Sequence, residues 1–325
     1  MKKSRTNVMV CVFRKGFLVG CMAMAGLHAG WAYAQTHESK LYGKLNLSLE
    51  RQSVGSEDSW VLNSNASRLG IKGKISGDDT SIDLIYQLEY QVYPDDGKAG
   101  SGDATTKQRN SYAGIAGSFG KVIAGYHDTP VKKAQLKVDV FNDSSFDIKY
   151  FLEGENRVGE FIQYESPVLS GVKFKVAAIV DPDPQADLLD SSSVSVEYNT
   201  NGLSLAFAVD DNVDSFDNVR ASIQWKTASG LQLGALINDS SAVPADSTDT
   251  DTDTDMDPVV VLSAKYRGVY GQYVSYANGD ANFWGFGYAL RFHKNAKVYF
   301  WYGDVDATAA DADESALATG IDIQF

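Results

Sequence analysis

The chain has 325 residues, 22% of them charged, and a formal net charge of −13 at pH 7. So acidic a balance argues against nucleic acid as a partner, because phosphate binding rests on clustered Lys and Arg. Both cysteines, Cys11 and Cys21, fall in the first 34 residues, so the remainder has no disulfide, thiolate metal site or thiol nucleophile.

Lys2, Lys3, Arg5, Arg14 and Lys15 form a basic region without an acid, Gly16 to Leu27 is apolar, and Ala32-Tyr33-Ala34 is a small-x-small cleavage signal. We read residues 1–34 as a cleaved export signal, with Gln35 as the first mature residue. A rival lies in the same segment. Leu18-Val19-Gly20-Cys21 resembles a lipoprotein processing box, although Arg14 and Lys15 leave only Gly16 to Gly20 as its apolar core. Removing the five leader cations from 29 leaves 24 basic against 42 acidic residues, a net of −18. After the leader no apolar run approaches the ~20 residues of a spanning helix. A mature chain that enters a membrane must do so as a closed barrel, the other fold that satisfies its backbone in lipid.

Strand periodicity follows. In residues 41–50, Leu41, Leu45, Leu47 and Leu49 fall on one face and Tyr42, Lys44, Asn46, Ser48 and Glu50 on the other. Leu69 and Ile71 then oppose Arg68, Lys72 and Lys74. After the turn Ser76-Gly77-Asp78-Asp79, Ile82, Leu84, Tyr86, Leu88 and Tyr90 alternate with Asp83, Gln87 and Glu89. A polar connection at 93–108 is much longer than that turn, and long and short connections are expected to keep alternating. Strands near 109–118 and 121–127 precede residues 128–156, where the rhythm stops for far longer than the roughly 2–6 residues of an ordinary connection. That loop mixes anchors such as Phe141, Phe146 and Ile148 with acids, among them Asp128, Asp139, Asp143 and Glu155.

Beyond it, strands are expected at 157–167, 172–180, 193–199, 203–210, 218–227 and 231–238, and, after an acidic insert, at 259–267, 269–277, 282–292, 297–304 and 315–325. Five, six and five strands make 16. The apolar faces, such as Leu203, Leu205, Phe207 and Val209, carry no charge, while the opposite faces are too polar for the shared core of a sandwich. Charge is costly on a lipid-facing side and tolerated in a lumen. The apolar side is therefore expected to face outward, with Tyr86, Tyr90, Trp225, Trp284, Tyr288, Trp301 and Tyr302 in interfacial girdles. The fold class is all-β, a transmembrane antiparallel barrel closed by 16 strands.

Leu41-Tyr42-Gly43-Lys44-Leu45, the run Asn65 to Gly73, the run Ser111 to Val122, and Gly125 through Pro130 resemble the trimeric general-diffusion porins of Gram-negative outer membranes. The end Ile321-Asp322-Ile323-Gln324-Phe325 resembles the assembly signal of outer-membrane barrels. The resemblance spans residues 35–325. It implies a homotrimer in an outer membrane of lipid and lipopolysaccharide, passing small hydrophilic solutes and ions, with the third outer loop (128–156) folded into the lumen. It also implies a constriction in which Asp128, Asp139 and Asp143 of the loop face Arg68 on the wall, with Arg109 and Lys44 as further wall cations by facing alone. Tyr126 stands where the family often has an Arg.

The acids of the loop opposite wall cations would create a transverse field that filters small ions. Lys173, Lys175, Arg220, Lys226, Lys265, Arg267 and Arg291 could add a basic lumen, so the preferred ion charge stays open. The run Asp246 to Asp257, DSTDTDTDTDMD, reads as exposed surface, with divalent-cation binding as the sharper alternative. His37, His127 and His293 form no metal spacing, no GxSxG elbow occurs, and no helix follows Gly114 to Gly120 or Gly285 to Gly287 to receive a phosphate. No catalytic residue, cofactor or metal is expected. His127 beside Asp128 is the nearest approach to a base with an orienting partner, and more simply a polar residue where a strand enters the loop. A surface adhesin or receptor using the barrel as a mount is the second functional reading.

Overall fold

Residues that alternate apolar and polar satisfy one environment on each side of a sheet, and most such runs among the described residues form strands, the run Lys133 to Val140 in the long loop excepted. The computed structural model describes residues 36–77, 81–98, 104–180, 191–243, 255–279, 281–307 and 314–325. The leader, 1–34, and most of the acidic insert lie outside the described residues. Before the long loop the strands are Thr36–Val54, Glu57–Ser64 continued by Arg68–Ser76, Ile82–Val92, Thr106–Gln108 continued by Ser111–Gly117, and Gly120–Asp128. After it come Arg157–Glu165, Val172–Ile179, Ser192–Thr200, Leu203–Val213, Phe216–Lys226 and Gln232–Ala242. The last five are Val259–Tyr266, Val269–Tyr276, Ala281–His293, Ala296–Ala307 and Glu314–Gln324.

With the two interrupted strands counted once each, sixteen antiparallel strands form one sheet among the described residues. Pairing of the first strand with the last, from Lys44 opposite Gln324 to Val54 opposite Glu314, closes it into a barrel. One interruption falls where Ala66 adopts φ 51°, between two halves that both pair with the first strand. The half Glu57–Ser64 has no clear alternation, which is why the sequence pattern marks only the half containing Leu69 and Ile71.

The connections depart from strict alternation. The rim that carries connections 93–105, 129–156 and 243–258 also carries the two-residue turns 55–56 and 214–215. At the second of these, Asp214 and Ser215 have φ of 57° and 67°, the pair of left-handed residues that a tight hairpin turn needs.

Leu205, Phe207 and Val209 are 38%, 52% and 36% exposed on the outer face, while Ala206, Ala208 and Asp210 between them are buried on the inner one. The inner face elsewhere is polar, with Asn46, Ser48 and Glu50 on the first strand and Asn218, Arg220 and Ser222 on the tenth. One part of that inner face is apolar. Val259, Val261, Val274, Phe283 and Trp301 join Val138, Phe141, Phe146, Ile148 and Leu152 of the long loop in a single buried cluster. Trp301 therefore does not belong to an outer girdle as its sequence neighbourhood suggests. It alternates with Phe300 and packs beside the loop's phenylalanines, whereas Trp225, Trp284 and Tyr288 are exposed on the outer face.

Candidate functional site

The long loop owes its shape to its own acids. Thr129 caps a single helical turn, Pro130–Lys133, by accepting from the Lys132 amide at 3.2 Å, with Pro130 in the first turn where no amide is needed. Asp139 accepts from the amides of Phe141 and Ile148 at 2.9 and 3.4 Å. Asp147 accepts from the amides of Asp143 and Lys149 at 2.8 and 3.0 Å. These bonds satisfy backbone donors that no sheet or helix serves. They also hold Asp143 at φ 69°, a conformation that Asp tolerates better than most residues.

Two aromatic anchors tie the loop to the wall. The rings of Phe141 and Phe146 lie 5.5 and 4.7 Å from that of Phe283. Burying each ring is worth about 1.5–3 kcal/mol. The wall makes room with glycine: a Cβ on Gly285 would come within 2.7 Å of Phe141, and one on Gly303 within 2.5 Å of Phe146.

Between these anchors the loop presents Asp143 to the first two strands of the barrel, just across the closing seam. Lys44 and Arg68 are directly paired across neighbouring strands, a placement in which like charges repel. Asp143 answers both: its Oδ2 lies 2.8 Å from Lys44 Nζ and 3.9 Å from Arg68 Nη1. Burial alone would raise the Asp143 carboxyl, but Lys44 and Arg68 outweigh it and hold it below the ordinary carboxylate range.

The other candidates divide. Arg109 Nε donates to Glu89 at 2.7 Å, and Arg68 lies 4.0 Å from the same carboxylate, which also accepts from the Tyr42 hydroxyl at 2.9 Å. Arg109 is thus bound to a wall acid, not to a loop acid. Asp128 lies 2.8 Å from Arg157 and 3.3 Å from Lys133, and accepts from Asn110 at 2.8 Å. A cavity of about 1960 Å³ is lined by Lys44, Arg68, Arg109, Asp128 and Asp143. Asp139 is buried and does not line it; burial, with the nearby Asp147, pushes its carboxyl well above the ordinary range. The expected contribution of Asp139 to the field gives way to a role in folding the loop.

The sequence profile of the Gram-negative porins matches residues 20–322. The chain belongs to that family. The anion-selective porin from Comamonas acidovorans has the same fold, at 15% identity and a TM-score of 0.68, over 89% of this chain and 100% of that one. Salmonella typhi OmpF, solved with daunomycin, matches at 17% identity and a TM-score of 0.65, over 88% and 97% of the two chains. The trimer form of Vibrio cholerae OmpT matches at 15% and 0.65, over 89% and 100%. No curated protein sequence matches the chain. Family and fold place this porin in the outer membrane as a channel-forming barrel.

Three contacts of the porin escape sequence reasoning. Arg220, grouped by sequence with the wall cations, is fully buried: Nη1 meets Glu155 at 2.5 Å and the Val131 carbonyl at 3.2 Å, and Nη2 donates to the Glu153 carbonyl at 2.7 Å. Burial raises the Glu155 carboxyl, while Arg220 and Lys132 pull against it. Glu50 accepts from Ser145 of the loop at 2.5 Å. The guanidinium beside Asp128 comes from Arg157, its strand partner, and Tyr126 lines the cavity. Inner-face periodicity identifies Glu50 and Arg220 as inward, but not their partners. His127 Nδ1 bonds the Asp128 backbone carbonyl at 2.8 Å, and the Asp128 carboxylate is held by Asn110 and Arg157, so no base with an orienting carboxylate forms there.

Proposed function

We propose that residues 128–156 fold into the lumen of this porin and narrow it, so that small hydrophilic solutes and ions pass by diffusion, filtered by size and by charge. The observation that carries this reading is the contact of Asp143 with both Lys44 and Arg68. It joins a loop acid to two wall cations in the lining of the large cavity. Charges held at fixed positions in the lining of a water-filled space act on a passing ion without needing to bind it tightly, and weak interaction is what conduction requires. The pathway needs no cofactor and no turnover.

The same reading takes residues 1–34 as a leader removed after Ala34 and 35–325 as the barrel, set among outer-membrane lipid and lipopolysaccharide. It also takes the chain as a homotrimer, the form in which one solved relative is described. Planar-bilayer recording of the refolded protein tests the channel, and the reversal potential in a salt gradient tests the filter. Ion current is expected from the parent, and Arg68→Ala is expected to shift the reversal potential toward cation preference. Absence of current would remove the channel, and an unmoved potential would remove Arg68 from the filter.

A further inference from the structure

The strands Val259–Tyr266, Val269–Tyr276, Ala281–His293 and Ala296–Ala307 change character along their length. Toward the long-loop rim their inner face is apolar and meets the loop, through Val261, Val274, Phe283 and Trp301. Toward the short-turn rim three of these strands and one of their turns bear Lys265, Arg267, Arg291 and Lys297. Strand alternation places Lys265 two residues after inner-facing Ser263, and Lys297 two before buried Tyr299. All four cations line one cavity of about 390 Å³, together with Tyr270, Tyr299 and the loop segment 140–144.

This cluster repeats the pairing of Lys44 and Arg68, but among the described residues a carboxylate answers only one of its four cations, Lys297. Arg291 and Lys297 are direct cross-strand partners, so two like charges face each other. Asp322 reaches Lys297 at 3.5 Å but lies also within 4.0 Å of Lys44. Among the described residues no carboxylate lies within ion-pair distance of Lys265, Arg267 or Arg291. Arg291 Nη1 donates only to the Lys294 carbonyl, at 3.1 Å, and Arg267 lies over the Tyr266 ring. Asp143 also borders the cavity, but its carboxylate is already shared by Lys44 and Arg68. Walls of low dielectric focus the field of such a group of cations into the space between them.

We propose that this cavity is a binding site for a small multivalent anion, one bearing phosphate or several carboxylates. The anion would stand to Arg291 and Lys297 as Asp143 stands to Lys44 and Arg68. Two or more negative charges suit it better than one, because three of the four cations have no carboxylate of their own and a guanidinium takes planar oxyanions in pairs. The phenol of Tyr270 adds a hydroxyl to the lining. Occupancy needs no ion flow, so the site stands or falls separately from the channel.

Pyrophosphate is the probe, titrated calorimetrically into the detergent-solubilised full chain at about 0.15 M ionic strength, where charges more than about 8 Å apart are largely screened. Saturable binding of one anion per chain is expected. The double variant Lys265→Gln/Arg291→Gln should weaken it by about tenfold or more, as loss of close charge contacts does. Lys265→Gln alone serves as a milder second variant and should weaken it by a smaller factor. Lys40→Gln/Lys72→Gln, which removes the same charge from an opposed lysine pair elsewhere on the wall, should change it less than about twofold, the effect of distant charge alone. Absence of saturable binding in the parent, or equal weakening in the two double variants, would overturn the site. Binding that persists in a preparation carrying no ion current would leave the site in place and remove only the channel reading.

Discussion

Arg220 and Glu155 meet at 2.5 Å with the guanidinium wholly shut off from solvent, and the same guanidinium holds the carbonyls of Val131 and Glu153. One wall residue thereby fastens the outgoing and the returning stems of the long loop. Removing the cation alone would leave a buried carboxylate and two loop carbonyls without their donor. Arg220→Met is expected to cost about 3–5 kcal/mol, whereas Arg220→Met combined with Glu155→Met should recover much of the loss. The midpoint of heat-dependent mobility change on electrophoresis reads both. A single variant as stable as the parent would show that the clamp carries no stability.

Gly303 leaves the notch that receives Phe146. Gly303→Val puts a branched side chain where a Cβ alone would come within 2.5 Å of that ring. The overpacking is expected to cost about 1–3 kcal/mol, and the loop yields more readily than the closed sheet. Limited proteolysis within 136–150 should therefore speed up while the barrel stays folded. An unchanged cleavage rate would mean that Phe146 is not what keeps the loop in place.

The Asp143 carboxyl is held below its ordinary range by Lys44 and Arg68 against the opposing effect of burial. Its contribution to stability is then fully present above the unfolded carboxylate pKa, near 3.9. It is lost as pH falls through the lower folded value. The parent should be more stable than Asp143→Asn at neutral pH, and the two thermal midpoints should converge below about pH 4. A gap that stays constant down to pH 3 would mean that the ion pairs are not its source.

Ile223 lies on the outer face, 44% exposed, and Gln224 beside it on the inner one. Ile223→Lys is expected to cost about 2–4 kcal/mol in a bilayer if it sits near the midplane, and Gln224→Lys far less. The yield of folding into lipid vesicles compares them. Equal yields would contradict the assignment of faces.

Much of the fold can be read before any coordinates, because a lipid-facing surface must be apolar at every second residue. Leu205, Phe207 and Val209 show it, and the division into five, six and five strands holds. The reading weakens where both faces are apolar. At Val259-Val260-Val261-Leu262 and Tyr299-Phe300-Trp301 a period of two has nothing to contrast, so Trp301 looks like a girdle residue while it packs on the loop. The site shows the same limit. Alternation tells that Lys44, Arg68, Glu89 and Arg220 point inward, but a partner such as Glu155, 65 residues from Arg220, is set by where the loop comes to rest. Asp139 looks like its neighbour Asp143 in sequence, yet Asp139 turns into the loop to accept from Phe141 and Ile148 while Asp143 meets Lys44 and Arg68.

The pairing of Lys44 to Val54 with Glu314 to Gln324 spans almost the whole polypeptide. Until that seam is sewn, two open margins carry amides and carbonyls that hydrocarbon cannot satisfy, and the entropy of gathering so long a chain has no local reward. Insertion is therefore a late and nearly indivisible event: the growing sheet must be sheltered away from the lipid interior until its final hairpin can reach back to its first strand.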